Sequence, residues 1–320
     1  MINFQTKLRS WIDPSNLNYR MLSENPNAIS YLNQNPHLIR WDYIVRNPNA
    51  IEILNNNIDK INWFQITYNK NASSIIRNHK DKIHTWNHFF RYSNDIELIK
   101  EMVDNIDWFC ISDNKIAIDI IKDNLDKIDW NLLSTLDNAI DILKENLDKI
   151  NWNLLCINHN GIPLLLENFE KINWMILSKN PAAISILKEN LDKIDWFHLG
   201  YNTAAIKLFQ ENPDKINGYS LSSNIEAISI LEKNIDKIDW DNLSANSSAM
   251  ELLEKHKDKI DYYNFSSNPS IFTYDYDLIK EKFKDLGEEI VMKALHPKRI
   301  MRLIELYGEE EILACYFDEE

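Results

Sequence analysis

Nine of the ten tryptophans of this 320-residue chain stand in one phase: Trp41, Trp63, Trp86, Trp108, Trp130, Trp152, Trp174, Trp196 and Trp240. The step is 22 residues, except for one of 23 before Trp86 and one doubled step in which Gly218 takes the tryptophan place. Tyr19 and Tyr262 extend the phase outward at each end. A fixed period of this length marks an array of stacked supersecondary units, each too small to bury its own apolar face.

Numbering the Trp place as position 0, position 3 is apolar throughout, from Leu22 and Ile44 to Leu221 and Leu243. Position 9 is small, as in Ala28, Ala139, Gly161 and Ala249, with Asp95 the exception, and position 20 is isoleucine in every copy. Positions 9, 10 and 13 have helical spacing and lie on one stripe. The longer helix is expected to start at Asn-Pro in the copies with Asn25-Pro26, Asn47-Pro48, Asn180-Pro181 and Asn268-Pro269; asparagine caps helices well and proline suits the first turn. Asparagine at position 16, from Asn35 to Asn234, is expected to end it in the left-handed conformation. A shorter helix begins at the Trp, capped by Asp or Asn before it (Asp107, Asp129, Asn151) or by the earlier Asp of the Asp-Lys-Ile string (Asp126, Asp148).

The pattern predicts an all-α fold, a right-handed helical-hairpin solenoid of about eleven 22-residue repeats, elongated to roughly 100 Å at the usual helix separation. Residues 1–18, with the off-phase Trp11, read as an N-terminal cap, 19–270 as the array, and 271–320 as a helical C-terminal cap. In that cap, 277–284, 288–295 and 297–306 have amphipathic spacing, the last carrying Lys298, Arg299 and Arg302, before an acidic finish at Glu309–Glu311 and Asp318–Glu320.

The strings Asn-Pro-Asn-Ala-Ile (47–51), Leu-Lys-Glu-Asn-Leu-Asp-Lys-Ile-Asp-Trp (187–196) and Ala-Leu-His-Pro-Lys-Arg-Ile (294–300) resemble tandem-repeat proteins of mimivirus-like giant DNA viruses of amoebae. The resemblance spans about 19–306. It implies the architecture and a viral source, with the host cytoplasm or the virion as location, and no catalytic residues.

Formal charge is −14, which disfavours nonspecific attraction to nucleic acid phosphates or anionic lipid and favours a protein partner with a basic surface. Three cysteines (Cys110, Cys156, Cys315) without CxxC spacing argue for a reducing, intracellular setting, and no apolar run is long enough to cross a membrane. No Gly-rich phosphate loop or nucleophile elbow occurs, and Cys156 stands where serine is usual, as a small buried substitute. Neither an enzyme nor a cofactor is expected.

The Trp ladder reads as a core spacer and the Asp-Lys-Ile ladders as a solvated edge. His84 and His88 have the i, i+4 spacing of a zinc pair but lack a third ligand, so no metal is expected. Interest falls on the irregular copies. His84, Trp86, His88, Phe89, Arg91 and Tyr92 cluster at the inserted residue and form a candidate partner-binding patch. At the missing Trp, a pocket is expected among Trp196, Gly218, Tyr219 and Trp240 unless Tyr219 fills the space. The expected role is a protein-protein interaction scaffold. The alternatives are a nucleic-acid-associated factor and a self-associating virion component.

Overall fold

The computed structural model describes residues 6–282, 284, 292 and 297–308. The chain divides into two compact units, Leu8–Phe272 and the residues on either side of it. The larger unit is helical throughout, built from short segments in a repeating order.

Each regular copy holds four such segments, as between Trp174 and Lys193: an α-helix (Trp174–Leu177), a 3₁₀ turn (Pro181–Ala183), a second α-helix (Ile184–Glu189) and another 3₁₀ turn (Leu191–Lys193). The first helix starts at the Trp because the preceding Asp or Asn accepts an N–H from its first turn, as Asp129 does from Leu132 at 2.9 Å and Asp239 from Asn242 at 2.8 Å. The Asp-Lys-Ile string is therefore the 3₁₀ turn before that cap. Position 3 and the alanines of position 9 are fully buried, Leu22, Leu133 and Ala183 among them, so neighbouring copies approach backbone to backbone.

Two polar ladders, both missed by the sequence reading, join successive copies. Asparagine at position 6 caps its own turn and also donates its amide to two carbonyls of the previous copy. Asn180 reaches Cys156 O at 3.0 Å and Asn158 O at 3.2 Å; Asn202 reaches Ser178 O and Asn180 O, both at 3.0 Å. These side chains are buried, and each rung adds a donor to the position-4 carbonyl and a second donor to the previous asparagine's carbonyl, which already accepts from the position-9 N–H. Serine at position 4 forms the second ladder. Ser134 Oγ donates to Trp130 O at 2.7 Å and accepts from Asn151 N–H at 3.0 Å.

Asparagine at position 16 ends the second helix differently from expectation. No non-glycine residue among those described has a positive φ. Asn190 sits at φ −134°, and its amide donates to Ile186 O at 2.9 Å; Asn35, Asn146 and Asn234 do the same on their own helices. The amide supplies a donor for an orphan carbonyl, which removes the need for a left-handed turn.

The expectations of an elongated array and of an N-terminal cap at 1–18 are both corrected. Helix Tyr262–Ser267 and turn Pro269–Ile271 repeat the first half of a copy. The second half comes from the other end of the chain: Pro14–Asn16 forms the 3₁₀ turn, Leu17 takes the buried isoleucine place, and Asn18 caps the helix that opens at Tyr19. Both ladders cross this junction. Asn25 donates to Ser266 O at 3.1 Å and Asn268 O at 2.9 Å, and Asn18 N–H donates to Ser266 Oγ at 2.7 Å. Trp11 packs on Phe265 with ring centres 5.8 Å apart, and Arg9 Nε donates to Ser270 O at 2.7 Å. The first and last copies are thus neighbours, as a small rotation per copy allows when it sums to a full turn.

In the smaller unit, Lys7 bridges Asp275 at 3.0 Å and Asp277 at 2.9 Å, and helices cover Tyr276–Lys282 and Pro297–Tyr307. A two-stranded pairing of β1 (Thr6–Leu8) with β2 (Phe272–Tyr274) is an addition to the all-α expectation. The expected helix at 288–295 and the acidic finish lie outside the described residues.

Candidate functional site: aromatic clusters on one helix face

The first helix of each copy turns positions 0, 3 and 4 inward and positions 1 and 5 outward, a spacing that sets the latter two on one exposed face. Apolar side chains gather there although they have no core to fill: Phe64, Phe109, Met175, Phe197, Tyr219 and Tyr263 at position 1, Tyr68, Ile157 and Tyr201 at position 5. Phe64, Phe109 and Tyr219 are 49%, 55% and 52% exposed, which sets this face apart from the Asp-Lys edge.

The densest part surrounds the inserted residue. The extra residue before Trp86 moves that Trp out of the helix into the capping place, and the helix Asn87–Tyr92 ends three positions later than Trp174–Leu177 does. Arg91 and Tyr92 are carried outward as a result. Tyr68, His88 and Tyr92 stack: Tyr68 lies 3.7 Å from His88 and 5.8 Å from Tyr92 between ring centres, at interplanar angles of 23° and 28°. Phe64 meets His88 edge-on at 5.5 Å. The Arg91 guanidinium lies 5.5 Å from the centre of the Phe109 ring, and its Nε is 3.6 Å from Asp113.

The six residues expected at this patch separate. His88, Arg91 and Tyr92 lie together. Phe89 is a correction: it is 1% exposed and belongs to the core, because position 3 always points inward. Trp86 is half-buried edge-on against Phe89 at 5.4 Å. His84 is exposed but precedes the helix, so the i, i+4 spacing does not align it with His88. Phe64, Tyr68 and Phe109 were not singled out by sequence; their signal was aromatic character in columns where most other copies carry charged, polar or small residues.

The expected pocket at Gly218 is also corrected. A β-carbon on Gly218 would stand 1.5 Å from Lys237 O, so the backbone has closed over the missing ring. Gly200 admits Ser220 in the same way, a β-carbon there lying 2.0 Å from its Oγ. Tyr219 does not fill the gap. It is exposed, stacked on Phe197 at 6.0 Å and 17°, and Phe197 meets Tyr201 edge-on at 5.9 Å. Both irregular copies therefore carry an aromatic cluster on the same helix face.

The tryptophans are half-buried, and in five copies the Trp lies under the lysine 19 residues on, from the Asp-Lys-Ile string or, at Lys171, from Glu-Lys-Ile. Lys171 lies 4.1 Å over Trp152 and Lys60 4.6 Å over Trp41. This cation–π lid keeps the ladder from forming an open stacking platform.

Burial pushes the Cys110 and Cys156 thiols up from their ordinary value, which keeps both protonated. Burial, with Arg91 second, lowers His88, and burial raises Asp113 against the pull of Arg91. Among the described residues, no group of three or more His, Cys, Asp or Glu is placed to hold a metal, and no helix is long and apolar enough to cross a membrane. Comparison of the chain with protein families, with curated proteins and with solved structures finds no match.

Proposed function

We propose that the chain is a non-enzymatic binding scaffold: a closed ring of eleven whole copies and one split copy that holds protein partners on the face bearing positions 1 and 5. The observation that carries this reading is the group of exposed rings Phe64, Tyr92 and Phe109 around the half-buried, hydrogen-bonded pair Tyr68–His88, aromatic surface that fills no core. Exposed aromatic rings rimmed by polar residues are the usual energetic centre of a protein interface. Net charge of −14 over the rest of the surface repels polyanions and steers basic regions of a partner toward the ring.

The test is affinity capture with paired variants. The native protein recovers a stoichiometric partner, Tyr68→Ser/Tyr92→Ser loses it, and Lys188→Ala on the opposite edge keeps it. Recovery that is unaffected by the tyrosine changes overturns the reading. The rival is a nucleic-acid-associated factor, since bases stack on flat rings such as Tyr68 and Tyr92. A mobility-shift assay at low salt separates the two: binding to single-stranded RNA or DNA that fades as salt rises favours the rival.

A further inference from the structure

Beside the aromatic cluster, on the same helix face, a cleft of about 420 Å³ is lined by Arg20, Arg40, Trp41, Asp42, Tyr43, Arg46 and Gln65. The whole chain has only eight arginines, against 27 lysines, so three in one cleft is a concentration that the acidic composition does not predict. The cleft is organised around aromatic rings. Arg20 and Arg46 lie 6.0 and 5.5 Å from the centre of the Tyr43 ring, and Arg40 lies 5.5 Å from that of Tyr19.

The three guanidiniums are unequally occupied. Arg46 Nη2 touches Glu24 Oε1 at 2.7 Å, and Arg40 Nη1 donates to the carbonyls of His37 and Leu38 at 3.3 and 3.2 Å. Among the described residues, neither Arg20 nor Arg40 meets a carboxylate within ion-pair distance. The one lining carboxylate, Asp42, already accepts from Asn62 Nδ2 at 3.2 Å. Arginines braced on rings and short of acceptors are pre-organised for an anion with several oxygens, because a guanidinium donates in a planar fork.

We infer that this cleft is a binding site for a phosphomonoester carried by a partner protein. Three guanidiniums outnumber the two carboxylates beside them, Asp42 and Glu24, so the cleft is cationic in an acidic chain, and Arg20 and Arg40, which have no carboxylate partner, can each take an oxygen of a phosphorylated side chain. The aromatic cluster next to it takes the partner's neighbouring apolar residues. A phosphodiester polymer fits less well, since it offers one charge per phosphate and its length meets the repulsion of the −14 chain. The inference deepens the scaffold reading by naming what marks the partner.

The test titrates phenyl phosphate into the full chain and follows the arginine Nε–Hε signals by NMR, with phenylacetate as the monoanionic control. The expected result is saturable binding of phenyl phosphate, at least about tenfold weaker for phenylacetate and about tenfold weaker in Arg20→Gln. Arg20 donates its backbone N–H to Asn18 Oδ1, a bond that Arg20→Gln keeps, and its side chain makes no hydrogen bond among the described residues; an unchanged melting temperature verifies that the variant folds. The site is overturned if phenyl phosphate leaves the arginine signals unmoved, if Arg20→Gln binds equally well, or if only an oligonucleotide shifts them. Tyr68→Ser/Tyr92→Ser keeps phenyl phosphate binding whether or not it loses the protein partner, so failure of the scaffold reading is distinguishable.

Discussion

The stretch that runs from Asn158 through the junction to Asn69 differs sharply from the stretch between Tyr68 and Leu136. In the first, nine successive copies carry a buried asparagine rung, and the ladder passes from Asn268 to Asn25 without a gap. In the second, Ser93 and Leu136 replace the asparagine, Phe90 replaces the serine of position 4, and only Asn114 keeps a rung, to Phe90 O at 2.8 Å and Ser93 O at 3.1 Å. The aromatic cluster stands in this interrupted stretch. The asparagine rungs hold the array together; the denser aromatic cluster lies where they lapse, while the cluster of Phe197, Tyr201 and Tyr219 stands on copies that keep theirs. The junction belongs to the first stretch, so closure is as well bonded as any interior contact.

The largest test of this contrast is to break a rung. Asn180→Leu takes the amide donor from the buried Cys156 carbonyl, leaves the Asn158 carbonyl with the Gly161 N–H alone, and removes the acceptor of the Ala182 N–H. A loss of about 3 kcal/mol or more in urea denaturation is expected. Asn25→Leu at the junction should cost the same, and a negligible cost would mean the junction is open in solution. In the interrupted stretch the sign reverses: Leu136→Asn offers an amide to the carbonyls of Ser112 and Asn114 and should gain about 1 kcal/mol. Restoring the repeat elsewhere is harmful. Gly218→Trp drives a side chain into Lys237 O and should destabilise by about 1–3 kcal/mol despite matching the other copies.

Smaller effects sharpen the comparison. Because burial and then Arg91 lower His88 from its ordinary 6.5, the unfolded chain takes up that proton first as pH falls. The stability is present above the ordinary value and is lost as pH drops through it toward the folded value. His88→Gln should flatten that loss in denaturation curves recorded at neutral and mildly acid pH. Lys171→Ala, which lifts the lid from Trp152, should cost about 0.5–1 kcal/mol in the melting transition, screened little by salt.

Much of the repeat was legible because its rules are local. The isoleucines of position 20 and the buried alanines of position 9 follow from spacing alone, whereas the caps at Asp129 and Asp239 were one of two alternatives that spacing left open. The ladders were not, since an asparagine that caps its own turn gives no sign that its amide reaches 22 residues back. Closure was hidden for a related reason: Leu17 and Asn18 fit the repeat phase only when counted as the end of the copy that Tyr262 begins. Part of the candidate site was legible at His88, Arg91 and Tyr92, where the insertion drew notice. Phe64, Tyr68 and Phe109 lie in regular copies, and only the outward direction of positions 1 and 5 joins them to the site.

Closure is tested most directly by spin-label distances between exposed position-1 sites. One pair, Arg20 and Tyr263, spans the junction; the other, Tyr219 and Asp241, joins two interior neighbours. If the first and last copies are neighbours, the two distance distributions coincide. An open array would keep the interior distance short and move the junction pair apart toward roughly 100 Å, beyond the range of the method, so that its dipolar signal disappears.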